Sequence, residues 1–151
     1  MKKFRFKLET LLGVTRRKKE DAERLFAEAT RKLEEERARL TELLEEMQRV
    51  QAEYKEQTQE GKRISVGRLM TYTSYVNWKR EQIEQQQQTI LYAQTERQKR
   101  LKELLQLMSK LKSIEQLKEK RLQQYNAELL FEENKVLDEI GLQLYMRKAG
   151  A

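Results

Sequence analysis

Side chains able to carry bond-making chemistry are scarce in this sequence. Histidine and cysteine are both absent. The commonest general base, the commonest nucleophile, disulfides and thiolate metal sites are therefore missing together. Carboxylates abound, but Glu34-Glu35-Glu36 and Glu45-Glu46 do acid–base work only inside a concave, water-poor pocket that shifts their pKa values. On a helix of this composition they read as solvated face. Gly61-Lys62 is followed by Arg63, and no glycine stands five residues before Gly61, so there is no phosphate-cradling loop. The chain is expected to be no enzyme and to take no cofactor or metal.

The residue types that do stand out belong to recognition. In MKKFRFKLETLL, Lys3 to Leu8 alternates charge with bulk as a strand does, and places Phe4 and Phe6 on a basic tip. Residues 1 to 19 hold eight Lys or Arg against Glu9 alone. Near the other terminus NAELLFEENKVLDEI sets Glu128, Glu132, Glu133, Asp138 and Glu139 against Lys135. Leu129, Leu130 and Phe131 sit inside this acidic run. Apolar anchors rimmed by charge are how contact surfaces are built, although charge alone also serves solubility. Between these, LMTYTSYVNWKRE crowds Tyr72, Tyr75 and the single tryptophan, Trp78, into seven residues.

Composition says what must position them. The 151 residues are 38% charged and 38% hydrophobic, with no proline, five glycines and a mean hydropathy of -0.95. That is material for a long helix or coiled coil. No apolar run approaches the ~18 to 20 residues that span a bilayer, and no apolar segment with a small-residue cleavage site opens the chain. A cytoplasmic protein is expected, meeting a membrane only through partners.

Glycine marks the fold. Gly61 and Gly67 fall together in EGKRISVGRL, where Ser65 is placed to cap a new helix. Upstream, steps of four and three lead through Leu8, Leu12, Thr15, Lys19, Ala22, Phe26, Ala29, Leu33, Glu36, Leu40, Leu43, Met47, Val50 and Tyr54, eleven of the fourteen apolar. Downstream the same rhythm runs from Leu69 through Tyr72, Val76, Ile83 and Ile90 to Leu104, Leu107, Leu111 and Ile114. It is interrupted at Lys79, Gln86, Arg97 and Arg100. It resumes at Leu122, Tyr125, Leu129, Val136 and Ile140, displaced by about one residue, which is how a four-residue stutter appears.

Two seams joined by a glycine-flanked turn bury each other as an antiparallel helical hairpin, an all-α coiled coil with a longer second helix. The alternative, a parallel dimer of one continuous helix, places two glycines in a helix interior at a cost of about 2 kcal/mol. The expected organisation is a tip over 1–7, a first helix over 8–60, a hinge over 61–67 and a second helix over 68–148. Folding about residue 64 sets Leu8 opposite position 120, so 121–148 overhangs by ~40 Å. A monomeric hairpin is expected. Tyr72 and Val76 belong to the seam, whereas Tyr75 and Trp78 should face outward.

Three classes of function fit such a molecule. Nucleic-acid binding would use Arg97 to Arg121, where nine basic residues stand against Glu103, Glu115 and Glu119. Glutamates elsewhere and the lack of a basic-region layout argue for no nucleic acid. Membrane-surface binding would use the Phe4/Phe6 tip. An adaptor engaging different proteins at its two ends uses every anomaly noted.

The stretch FRFKLETLLGVTRRKKEDAE resembles the opening of the flagellar FliJ family, in which an F-x-F-x-L-x-x-L-L segment precedes arginines and a Glu/Ala-rich coiled coil. Tyr72 and Tyr75, the late ENKVLDEI with Glu133, Asp138 and Glu139, and Arg147 more loosely, look like the family's other landmarks. The resemblance implies an antiparallel coiled coil similar to the central stalk of rotary ATPases, acting in the type III apparatus that exports flagellar proteins. It implies as partners the hexameric export ATPase, the membrane-embedded export gate and export chaperones, and a place on the cytoplasmic side of the membrane at the flagellar base. Hydrolysis would belong to the partner. On this reading Phe4, Phe6, Leu8, Leu12, Leu129, Phe131, Val136 and Ile140 form the ATPase-side contact. Tyr72, Tyr75, Val76 and Trp78 form the gate- or chaperone-side contact. The stalk protein of virulence-type secretion systems, or a general coiled-coil scaffold, is the alternative.

Overall fold

The computed structural model describes residues 2–59 and 61–150. Two helices account for most of them, α1 (Glu9–Gln57) and the longer α2 (Val66–Ala149), and they pack against each other as a helical hairpin. Gly61 carries the break. Its φ of 87° lies in the left-handed region that side chains with a Cβ avoid. Gly67, by contrast, lies in the first turn of α2, after Ser65 whose Oγ accepts the Arg68 amide at 3.2 Å as an N-cap. Glu60, the expected end of the first helix, lies outside the described residues.

The chain divides into two compact units, each built from both helices. Unit 2 comprises Asp21–Leu105. Tyr54 meets Tyr72, Glu46 meets Lys79, Glu36 meets Gln86 and Thr30 meets Arg97, the antiparallel register that folding about Ile64 requires. Its buried apolar side chains are Ala22, Ala29, Leu33, Leu43, Val76, Ile90 and Leu104, all on the seams read from the sequence. Gln86 and Arg97, polar positions of the seam, find partners on α1. Gln86 Nε2 donates to the Glu36 carbonyl at 2.8 Å and its carboxylate at 2.6 Å. Arg97 donates to Thr30 Oγ1 at 3.0 Å with its guanidinium 5.0 Å from the Phe26 ring centre.

Unit 1 comprises Met1–Glu20 and Gln106–Ala151. Its core is Leu12, Leu111 and Ile114, with Phe6 packed against them. Thr15, also buried, satisfies its hydroxyl by donating to the Leu11 carbonyl at 2.7 Å, the usual recourse of a threonine inside a helix. Cross-helix ion pairs Glu9–Lys118 at 2.9 Å and Arg16–Glu115 at 3.6 Å line the edges. Exposed as they are, such pairs contribute at most about 1 kcal/mol each. Packing of the apolar seam holds this unit together.

Candidate functional site

Two surfaces concentrate the residues singled out by the sequence. The first lies in unit 1, where residues 2–7 run on beyond α1 as a non-helical strap against α2. Alternation organises the strap: Phe4 and Phe6 are half-buried, whereas Lys3, Arg5 and Lys7 are exposed. Phe6 joins the Leu12–Leu111–Ile114 core. Phe4 tilts against Tyr125 with ring centres 5.6 Å apart, and the Tyr125 hydroxyl donates to the Lys2 carbonyl at 2.8 Å. The sequence placed the two phenylalanines on a basic tip, and both also pack in part against their own chain. Each adds apolar burial of order 1–2 kcal/mol. A cleft of about 430 Å³ remains between strap and helix, with Arg5, Lys7 and Arg121 around Phe4, Leu8, Leu117 and Tyr125.

Beyond Tyr125 the own-chain cover ends. From Asn126 to Ala149 only Leu129 is half-buried, and every other residue of α2 is exposed. Phe131 is 70% exposed, Val136 53% and Ile140 48%. Within the overhang expected over 121–148, Tyr125 is the residue the strap packs against. Among the other predicted contact residues Leu8 is open to solvent, but Leu12 is fully buried and positions the strap rather than facing a partner. Sequence reasoning named Leu130 as an anchor but passed over Leu137, Leu142, Leu144, Tyr145 and Met146, all more than half exposed. The heptad spacing of Leu130, Leu137 and Leu144 was the sign that could have found them.

The second surface belongs to unit 2. Tyr72 stacks on Tyr54 with ring centres 3.7 Å apart and planes 5° from parallel, bordering an open cleft of about 660 Å³ that also involves Val50, Ile64, Thr71 and Tyr75. Val76 is buried. Tyr75 is half-buried rather than fully outward, and its ring centre lies 6.1 Å from that of Trp78, which is half exposed. Lys79 explains their arrangement. Its side chain is buried and ion-paired with Glu46, and its ammonium lies 5.7 Å from the Tyr75 ring centre and 5.4 Å from that of Trp78. The sequence pattern made Lys79 a fault in the seam. In the structure it clamps the aromatic pair from below.

Two carboxyls record this polar layer. The hydrogen bond from Lys79 holds the Glu46 carboxyl below its ordinary value, and the bond from Lys32, then that from Gln86, does so for Glu36. Both stay ionised at neutral pH as binding and packing partners. Among the described residues no group of side chains is set to hold a metal ion, and no helix is long and apolar enough to cross a membrane. What the two surfaces offer is apolar and aromatic area bordered by charge, which suits protein recognition.

A family model described as "Flagellar FliJ protein" matches residues 4–150. No curated protein matches the chain. Among solved structures, a protein of Chlamydia trachomatis, CT670, described as a YscO homologue, has a similar fold: TM-score 0.69 and 23% identity, covering 95% of this chain and 96% of that one.

Proposed function

Because the chain belongs to the flagellar FliJ family, matched from Phe4 to Gly150, we propose that this component of flagellar protein export is the stalk that engages and activates the hexameric export ATPase. The same molecule links that ATPase to the membrane export gate and to export chaperones. The observation that carries the reading is the end of α2: a helix uncovered past Tyr125, with apolar side chains over its whole length and charge beside them. A single asymmetric helix of this kind fits the axis of a ring, where it can favour one catalytic interface at a time.

The ATPase-side contact is then Phe131, Val136 and Ile140 with Leu129 and the basic strap of Phe4, Phe6 and Leu8. Leu12 holds that strap in place. Tyr75 and Trp78, set by Lys79, and the Tyr72 edge form the gate- or chaperone-side contact, with Val76 supporting them from the core. ATP binding and hydrolysis belong to the partner. Localisation on the cytoplasmic side of the membrane, through the gate, follows from these partners.

The test is ATP hydrolysis by the export ATPase of the same organism, titrated with the intact chain, a chain lacking residues 1–7, and a Phe131→Ala/Val136→Ala/Ile140→Ala variant. Stimulation by the intact chain that falls about tenfold or more in the triple variant is expected. Full stimulation by both altered chains would refute the assignment of this end. A Tyr75→Ala/Trp78→Ala chain should keep ATPase stimulation and lose capture of the gate's cytoplasmic domain or of export chaperones.

A further inference from the structure

The uncovered stretch of α2 is patterned more specifically than a general sticky surface. Projected at 100° per residue, Leu129, Leu130, Val136, Leu137, Ile140 and Leu144 fall within an arc of about 120°. Five of them, all but Leu129, are 48–64% exposed. Two exposed charged residues lie inside the same stripe, Glu133 and Arg147, opposite in sign, with Lys148 on its edge beside Leu130. Neither makes an ion pair with its own chain among the described residues. They flank Ile140 symmetrically, seven residues to either side.

This symmetry identifies an occupant. Two copies of the helix laid antiparallel about a two-fold axis at Ile140 bring Ile140 against its own counterpart and Val136 against Leu144 of the other copy. Glu133 then meets Arg147 of the other copy, twice over, and Glu132 of each copy approaches Lys148 of the other. Such an isologous contact, in which one residue meets a second and the second meets the first, is what a two-fold dimer demands of its surface. Seam residues at 133, 136, 140, 144 and 147 keep the three-four spacing of a coiled coil. Gly150 of one copy lies opposite Leu130 of the other. The pairing thus stays on the bare end of α2 within unit 1 and displaces neither strap nor core.

We propose that this chain self-associates through residues 130–150 of α2 as an antiparallel, two-fold pair in register about Ile140. The hairpin of each copy is retained, and the association is a reversible one that covers the apolar end. The charge pattern selects this partner over a lipid surface, because Glu133 stands inside the apolar stripe, where a bilayer would leave it without the cation that Arg147 of a second copy supplies. The inference does not rest on the export reading, since it concerns the chain alone.

Sedimentation velocity of the full chain over roughly a hundredfold range of concentration reads it directly, by the monomer–dimer equilibrium expected of a mass-action contact. Glu133→Arg sets arginine against Arg147, and Arg147→Glu sets glutamate against Glu133. Each single swap is expected to weaken the dimer about tenfold or more, and the double swap Glu133→Arg/Arg147→Glu to restore it within about threefold. Both positions are exposed, and far-UV circular dichroism should show unchanged helicity in all three variants. Monomer at every concentration overturns the proposal, and flotation of that monomer with uncharged vesicles would assign the stripe to lipid instead. Dimers indifferent to the single swaps, or not rescued by the double swap, overturn the register on which it stands.

Discussion

Both ends of α2 display aromatic and apolar side chains, but they are held in different ways. Near the start, Trp78 and Tyr75 lie over a buried Lys79 that is itself fixed by Glu46, and Tyr72 is stacked on Tyr54 of α1. Near the finish, Leu130, Phe131, Leu137 and Tyr145 stand on a helix with no own-chain neighbour. The first surface is pre-ordered, so a partner there need not pay for fixing its rotamers. The second is ordered only along its backbone and acquires side-chain order when it is covered. One end is built for a defined contact and the other for a partner that wraps or pairs with it.

The widest separation between covered and bare apolar residues should appear in stability. Leu12, 0% exposed in the core of unit 1, should lose about 2–5 kcal/mol on Leu12→Ala. Leu137→Ala on the bare stripe should change the thermal transition of dilute monomer by no more than about 0.5 kcal/mol. Comparable losses, read by circular dichroism melts, would mean that the end of α2 is packed against its own chain after all, and the contrast would collapse.

Next in size is the clamp. Lys79→Ala removes the partner of Glu46 and the cation beneath both rings, and is expected to destabilise unit 2 by about 1–3 kcal/mol. It should also free the Trp78 ring, seen as a red shift and faster depolarisation of its fluorescence. The pH dependence follows from the same pair. Glu46 and Glu36 have folded-state pKa values depressed below the ordinary 4.5, so their contribution is present above that value and is lost as pH falls through the folded values. Acid titration of Glu46→Gln should therefore show a shallower loss of stability below pH 4.5 than the parent chain. A parallel titration would detach the clamp from the ion pair.

How much of this was legible in the sequence differs between the two ends for a physical reason. The seams were readable because a period near 3.5 has only one way to be buried, and Leu12, Leu33, Leu43, Val76, Ile90 and Leu111 lie where the pattern puts them. Lys79 was visible only as an interruption, since its value depends on Glu46 thirty-three residues away. The own-chain contacts of Phe4 and Phe6 escape a register that is counted only as far as Leu8. Counted on at the same register, with Leu8 opposite position 120, residues 2–7 fall opposite positions 121–126, and there Lys2 and Phe4 meet Tyr125. Tyr75 is placed outward by its angle alone, which does not report the Lys79 ammonium 5.7 Å from its ring centre.

The smallest effects separate the two glycines that the sequence treated as one hinge. Gly61 has a φ of 87°, and a Cβ there would meet no neighbouring atom. The strain of Gly61→Ala is thus purely that of the backbone, expected at about 1–2 kcal/mol. Gly67 lies in the first turn of α2 with Ser65 Oγ, at 4.0 Å, the nearest atom to an added Cβ. Gly67→Ala meets no strain and restricts the unfolded chain, so it should stabilise by up to about 1 kcal/mol. Opposite signs in denaturant melts would locate the turn at Gly61 and make Val66 the true start of the aromatic end. Two losses of equal size would show instead that Gly67 also needs a conformation that only glycine adopts, and the pre-ordered surface would then begin later in the helix.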